Sequence, residues 1–152
     1  MHRIVAATRE SAYLSVRGSG DGAVYIAMVE GTHSVRHTSW VGRSVPMTGL
    51  AVGHALLGDV PDVGYVAQRD SLEPDVTAIA APILSPGGVA AALSLLGPTY
   101  RIDDEDIERY GAILAAETRG LSSQLGTKST PPEEPKPNEP RASARTQQET
   151  GS

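Results

Sequence analysis

Apolar and polar positions alternate along this chain in a way that separates short strands from two kinds of helix. Ile4 to Ser11 carries Ile4, Val5, Thr8 and Ser11 on one side of a short helix. Tyr13 to Arg17 then switches to a period of two, with Tyr13, Ser15 and Arg17 on one face and Leu14 and Val16 on the other. Gly18-Ser19-Gly20-Asp21-Gly22 reads as a hairpin loop, because its glycines supply positive φ. Ala23 to Glu30 is a second strand, apolar on both faces and so expected inside a sheet, and His33 to Trp40 is a third, more polar strand.

The pattern is organised around Val45 to Leu57. Pro46 and Gly49 mark its entry, and Ala51, Ala55, Leu56 and Leu57 follow with helical spacing. The small residues Gly49, Ala51 and Gly53 let a neighbouring helix or a small ligand come close to the backbone. Beyond a short loop, Tyr65 to Glu73 is expected as a loop or small helix. Asp75 to Leu84 and Val89 to Leu96 read as buried antiparallel partners joined at Pro86-Gly87-Gly88, with Gly97-Pro98 as the stop. The longest helix opens at Asp103-Asp104-Glu105-Asp106, with Asp103 as N-cap and the acids at the positive end of the dipole. Ile107, Tyr110, Leu114, Leu121 and Leu125 trace its apolar stripe, and Gly126 is its expected end.

Composition changes at Thr127. Five of the 11 prolines fall in residues 127–152, with almost nothing apolar, so this segment is expected to be a disordered tail behind a single domain over residues 1–126. The tail's charges cancel, and the net charge of -5 rests on the domain, which makes a poor stand-alone partner for nucleic acid. There is no Cys, which excludes disulfides, thiolate metal sites and cysteine nucleophiles. No apolar run reaches the roughly 18 residues of a membrane span and no secretory signal is visible, so a cytoplasmic location without membrane contact is expected.

Candidate chemistry is sparse. His33 and His37 would share a strand face about 13 Å apart, too far to bind one metal. The acidic run at Asp103 is accounted for by a capped helix start. There is no nucleophile elbow, phosphate loop or metal-ligand spacing, and His54, Asp70, Glu73 and Asp75 read as surface groups, so an enzyme is not expected and neither is a cofactor.

Four segments together resemble the C-terminal effector-binding domain of the IclR family of bacterial transcriptional regulators. These are Val41-Gly42-Arg43-Ser44-Val45-Pro46-Met47 running into Ala51 to Leu57, Val76 to Ile83, Ala92 to Pro98, and Arg101-Ile102. They occur in the family's order and span most of residues 3–126. The resemblance implies an α+β, GAF-like antiparallel sheet flanked by helices, with a small-molecule pocket on one side. Carried over by motif, the effector-contacting positions are Val45, Ala51, Val52, Gln68, Val76, Ala78, Ser94 and Leu96. Ser94 is a hydroxyl in an otherwise apolar strand and needs a partner, either a backbone carbonyl or a ligand. The backbone N–H groups at Ala51 and Val52 are candidates to hold an anion.

The implied function is sensing of a small organic or aromatic acid by a homodimer or higher oligomer. DNA would be reached only through a separate winged helix-turn-helix domain absent from this chain. The sequence departs from the family in a second way. Only Asp59 to Val63 separate the organising helix from Gly64-Tyr65, where the family carries a few dozen mostly helical residues. A second reading therefore stays open: a truncated oligomerisation or decoy module that pairs with full-length regulators and no longer senses ligand.

Overall fold

A computed structural model describes residues 1–33 and 39–129. Ten elements follow in order: α1 (His2–Thr8), β1 (Ser11–Arg17), β2 (Gly22–Val29), β3 (Ser44–Pro46), α2 (Ala51–Leu56), β4 (Val66–Arg69), β5 (Val76–Ser85), β6 (Gly88–Pro98), a single 3₁₀ turn (Thr99–Arg101) and α3 (Asp104–Ser129). The strands form one six-stranded sheet in the order β3-β2-β1-β6-β5-β4, antiparallel throughout. The first long strand thus pairs with the last, and this pairing closes the sheet across the whole chain.

Helices cover both faces of the sheet, so the central strands are apolar on both sides. Along β5, Val76, Ala78 and Ala80 join the core under α2, while Ile79, Ala81 and Ile83 join a second core under α1 and α3. Along β6, Ala92 and Leu96 face α2, and Ala91, Leu93 and Leu95 face α3. This two-sided burial is why neither strand shows the polar alternation of a half-exposed sheet.

The α3 start is capped as its sequence predicts. Asp106 donates its N–H to Asp103 Oδ1 at 2.8 Å, and Asp103 donates its N–H to Asp106 Oδ2 at 3.1 Å, a reciprocal box that satisfies two end donors. The loop of glycines between β1 and β2 is a turn, with Gly20 at φ 74°.

Several expectations are corrected. The first helix is shorter and ends at Thr8, because Arg9 turns left-handed at φ 64° and Ser11 already belongs to β1. Val66–Arg69 is a strand, not a loop or helix; four residues are too few to show a period, and pairing with β5 decides their conformation. β6 continues through Gly97 and Pro98, which pair with Thr77 and Val76. α3 runs three residues past Gly126, since a glycine terminates a helix only where the next residues turn away. The expected strand His33 to Trp40 lies mostly outside the described residues, as does the expected tail from residue 130; Ser39 and Trp40 are not in a strand.

Candidate functional site

The site is built from cross-strand rows on the α2 face of the sheet. One row runs Gln68, Ala78, Leu96, Ser11 across β4, β5, β6 and β1. The next runs Val66, Ala80, Ser94, Tyr13, and a third runs Pro82, Ala92, Ser15, Tyr25. Small residues in the middle of these rows, Ala78, Ala80 and Ala92, leave a shallow floor under α2.

α2 is laid on this floor by a close backbone approach. A Cβ built on Gly53 would sit 1.7 Å from the Met47 carbonyl oxygen, so only glycine lets the helix pack against the chain leaving β3. Gly49 (φ 79°) and Gly58 (φ 76°) turn the chain on either side of the helix. Its buried side chains, Ala51, Val52, Ala55 and Leu56, join the same core as Val45.

All eight positions carried over from the resemblance are thereby brought to one side of the sheet. Val45, Ala51, Val52, Val76, Ala78 and Leu96 belong to a single apolar core. Gln68 and Ser94 are its polar members. Gln68 Oε1 and Ser94 Oγ are both buried without a hydrogen-bond partner. Among the described residues no carbonyl takes the Ser94 hydroxyl.

One residue was missed. Ser15 Oγ is the third buried oxygen without a partner among the described residues, and it lies on the same face. The signal was present, since Ser15 alternates with Leu14 and Val16 and shares its face with Tyr13, just as Ser94 interrupts apolar neighbours.

Electrostatically the face is neutral. Among the described residues no Lys, Arg or His is buried, and the buried carboxylate of Glu10 is paired with Arg101. Burial raises the Tyr13 and Tyr25 hydroxyls above the usual tyrosine value, so both stay protonated at neutral pH. The Tyr13 hydroxyl accepts the Trp40 N–H at 3.2 Å, and the Arg43 guanidinium stacks 3.8 Å above the Trp40 ring at the rim. α2 spans six residues, so the field at its N-terminus is small and adds little anion affinity at Ala51 and Val52.

α2 covers the floor, and none of the eight side chains lines either of two clefts that the described residues form at the surface. A cleft of about 420 Å³ lies at the helix's C-terminal end, bordered by His54, Asp59, Val60, Pro61 and Val66. Val60 and Val66 of this cleft pack on the α2-side core. An apolar groove of about 320 Å³ on the opposite side is lined by Leu14, Ile83, Leu93, Leu121 and Leu125 among others. His54 Nδ1 and Asp59 Oδ2 are 3.0 Å apart at the surface, and no group of His, Cys, Asp and Glu suited to a metal occurs among the described residues.

Residues 1–63 match the family model described as bacterial transcriptional regulator IclR C-terminal. The HTH-type transcriptional regulator KdgR of Escherichia coli (strain K12) is 25% identical over 162 aligned positions, covering 83% of this chain and 61% of KdgR. The chain thus spans about six tenths of that relative's length. The aligned length exceeds the 152 residues of this chain, so KdgR carries residues with no counterpart here. The family match stops at residue 63, where the α2–β4 connection is short.

Two solved structures share the fold. An IclR-type regulator from Alicyclobacillus acidocaldarius superposes with a TM-score of 0.72 at 24% identity, over 82% of this chain and 64% of that one. Pseudomonas aeruginosa HmgR gives 0.72 at 23% identity, over 82% and 63%. Residues 1–63 thus resemble the IclR C-terminal family, and the described residues share the fold of these two regulator structures.

Proposed function

We propose that this chain is the small-molecule sensing part of an IclR-type transcriptional regulator, acting in the cytoplasm. The α2 face of the sheet takes the effector, a small organic or aromatic acid whose apolar part rests on Ala78, Ala80 and Ala92. Val45, Ala51, Val52, Gln68, Val76, Ala78, Ser94 and Leu96 surround it. The observation that carries this reading is the set of unpartnered buried oxygens on that one face, each an unmet hydrogen-bonding capacity that a bound molecule satisfies. Because α2 covers the floor, binding selects an arrangement with the helix displaced, and the flanking Gly49 and Gly58 accommodate the change.

The effect on transcription follows by linkage. A ligand that binds one arrangement of a dimer better than another shifts the population, and a DNA-binding domain joined to that dimer reads the shift. A thermal-shift screen of aromatic and 2-oxo carboxylic acids tests the reading. A specific ligand at about 100 times its dissociation constant adds roughly 2.7 kcal/mol, a rise of several degrees for a domain of this size. Ala51→Trp, which wedges a large side chain between α2 and the floor, abolishes the rise in a variant that still folds. A folded protein with no response to any acid overturns the reading.

A further inference from the structure

We propose that Ser15 and Ser94 together form a hydroxyl seat for an uncharged oxygen of the bound molecule, a carbonyl or hydroxyl group rather than its carboxylate. The inference rests on the reading of the α2 face as the ligand site, and adds to it a residue and a chemical requirement.

Geometry supplies the pairing. Tyr13 lies opposite Ser94, and Ser15 lies opposite Ala92, so the two serines are diagonal neighbours on adjacent strands. Diagonal neighbours on one face of an antiparallel ladder have Cβ atoms roughly 7 Å apart. That spacing is too wide for the two hydroxyls to satisfy each other and suits one oxygen placed between them at normal O–H···O distances. A carbonyl oxygen has two lone pairs and accepts both hydroxyls at once.

Burial supplies the charge requirement. Ser15 is 0% exposed and Ser94 is 1% exposed, and both Oγ atoms lack a partner. No cation is buried among the described residues, and the buried Tyr13 and Tyr25 hydroxyls stay protonated at neutral pH. A carboxylate between the serines would lose its hydration without gaining a counter-ion, whereas a neutral oxygen loses far less. An acid effector is therefore oriented with its ionised group away from the serines and another oxygen toward them. Gln68, two strands from Ser94, offers its own unpartnered oxygen to a donor on the same molecule.

Three probes of one size and different charge test this: benzamide, benzyl alcohol and benzoate, followed at millimolar concentration by saturation-transfer NMR on the full chain. Benzamide and benzyl alcohol are expected to bind and to be blocked by Ala51→Trp, with benzoate at least about tenfold weaker. Ser15→Ala and Ser94→Ala are each expected to weaken benzamide by up to about tenfold, the loss of one hydrogen bond. Their ligand-free melting temperatures stay equal to or above the parent's, since a hydroxyl without a partner contributes nothing to the closed state. Neutral probes that bind with unchanged affinity in Ser15→Ala overturn the seat and leave the ligand site intact. So does tighter binding of benzoate than of benzamide, or a drop of several degrees in ligand-free Ser15→Ala. No binding by any probe overturns the ligand-site reading itself, and the seat with it.

Discussion

Glu10 and Arg101 lie 91 positions apart in the chain and meet in a two-pronged ion pair, with both N–H···O bonds at 2.8 Å. The pair ties the junction of α1 and β1 to the 3₁₀ turn that follows β6. Glu10 is 2% exposed, and His33 Nε2 lies 3.6 Å from its second oxygen. Gly97 is held glycine by the same carboxylate, since a Cβ there would lie 2.7 Å from Glu10 Cδ.

Removing the cation leaves this carboxylate buried without its two strongest donors. Arg101→Met is expected to destabilise the domain by about 3 kcal/mol. Glu10→Leu combined with Arg101→Met recovers most of that loss, because an apolar pair leaves no stranded charge. Urea denaturation of the single and double variants checks both statements.

Two glycine substitutions are expected to act in opposite directions. Gly53→Ala drives a methyl group into the Met47 backbone and costs several kcal/mol, or forces α2 off the sheet. Gly120 sits within α3 with nothing near its missing Cβ, so Gly120→Ala raises stability by about 0.5–1 kcal/mol through helix propensity. Melting temperatures of the two variants separate these cases directly.

The buried Tyr25 hydroxyl is expected to make stability fall at alkaline pH. Burial raises the Tyr25 hydroxyl above its value in the unfolded chain, chiefly by desolvation. The contribution is whole below the unfolded value near 10 and is lost as pH rises through the folded value. Tyr25→Phe removes this loss. Between pH 9 and 11 the urea midpoint of the parent is expected to fall more steeply than that of the variant.

Past the end of its pairing with β4, the outer side of β5 is closed to strand addition. Pro82 has no N–H to offer, and the next outward donor, Leu84 N–H, is taken by Ser122 Oγ of α3 at 2.8 Å. Ser122→Ala is expected to cost about 0.5–1 kcal/mol, and Pro82→Val with Ser122→Ala is expected to increase the mass seen by light scattering. An unchanged mass in the double variant would show that other features protect this edge.

Much of the fold could be read in the sequence wherever a local signal matched the final packing. Asp103 and Asp106 cap α3, the glycines at 18–22 make the first hairpin turn, and the apolar runs at Val76 and Val89 pair as expected. The misses have physical causes. β3 spans three residues and β4 four, too short for any period, and both exist because a longer strand offers them its edge. At the site, Ser94 announced itself as a polar residue among apolar ones. Ser15 carried the same signal, but only the pairing of β1 with β6 shows that the two serines share a face. The closure of the floor by α2 could not be read in advance, because it depends on Gly53 meeting a backbone carbonyl outside its own helix.

The most direct measurement is a two-dimensional amide NMR titration of the chain with an acid that raises its melting temperature. The largest shifts are expected on Ala51, Val52, Gln68, Ala78 and Ser94, together with Ser15. Shifts confined to the opposite groove around Leu93, Leu121 and Leu125 would contradict this and move the ligand to the other side of the sheet.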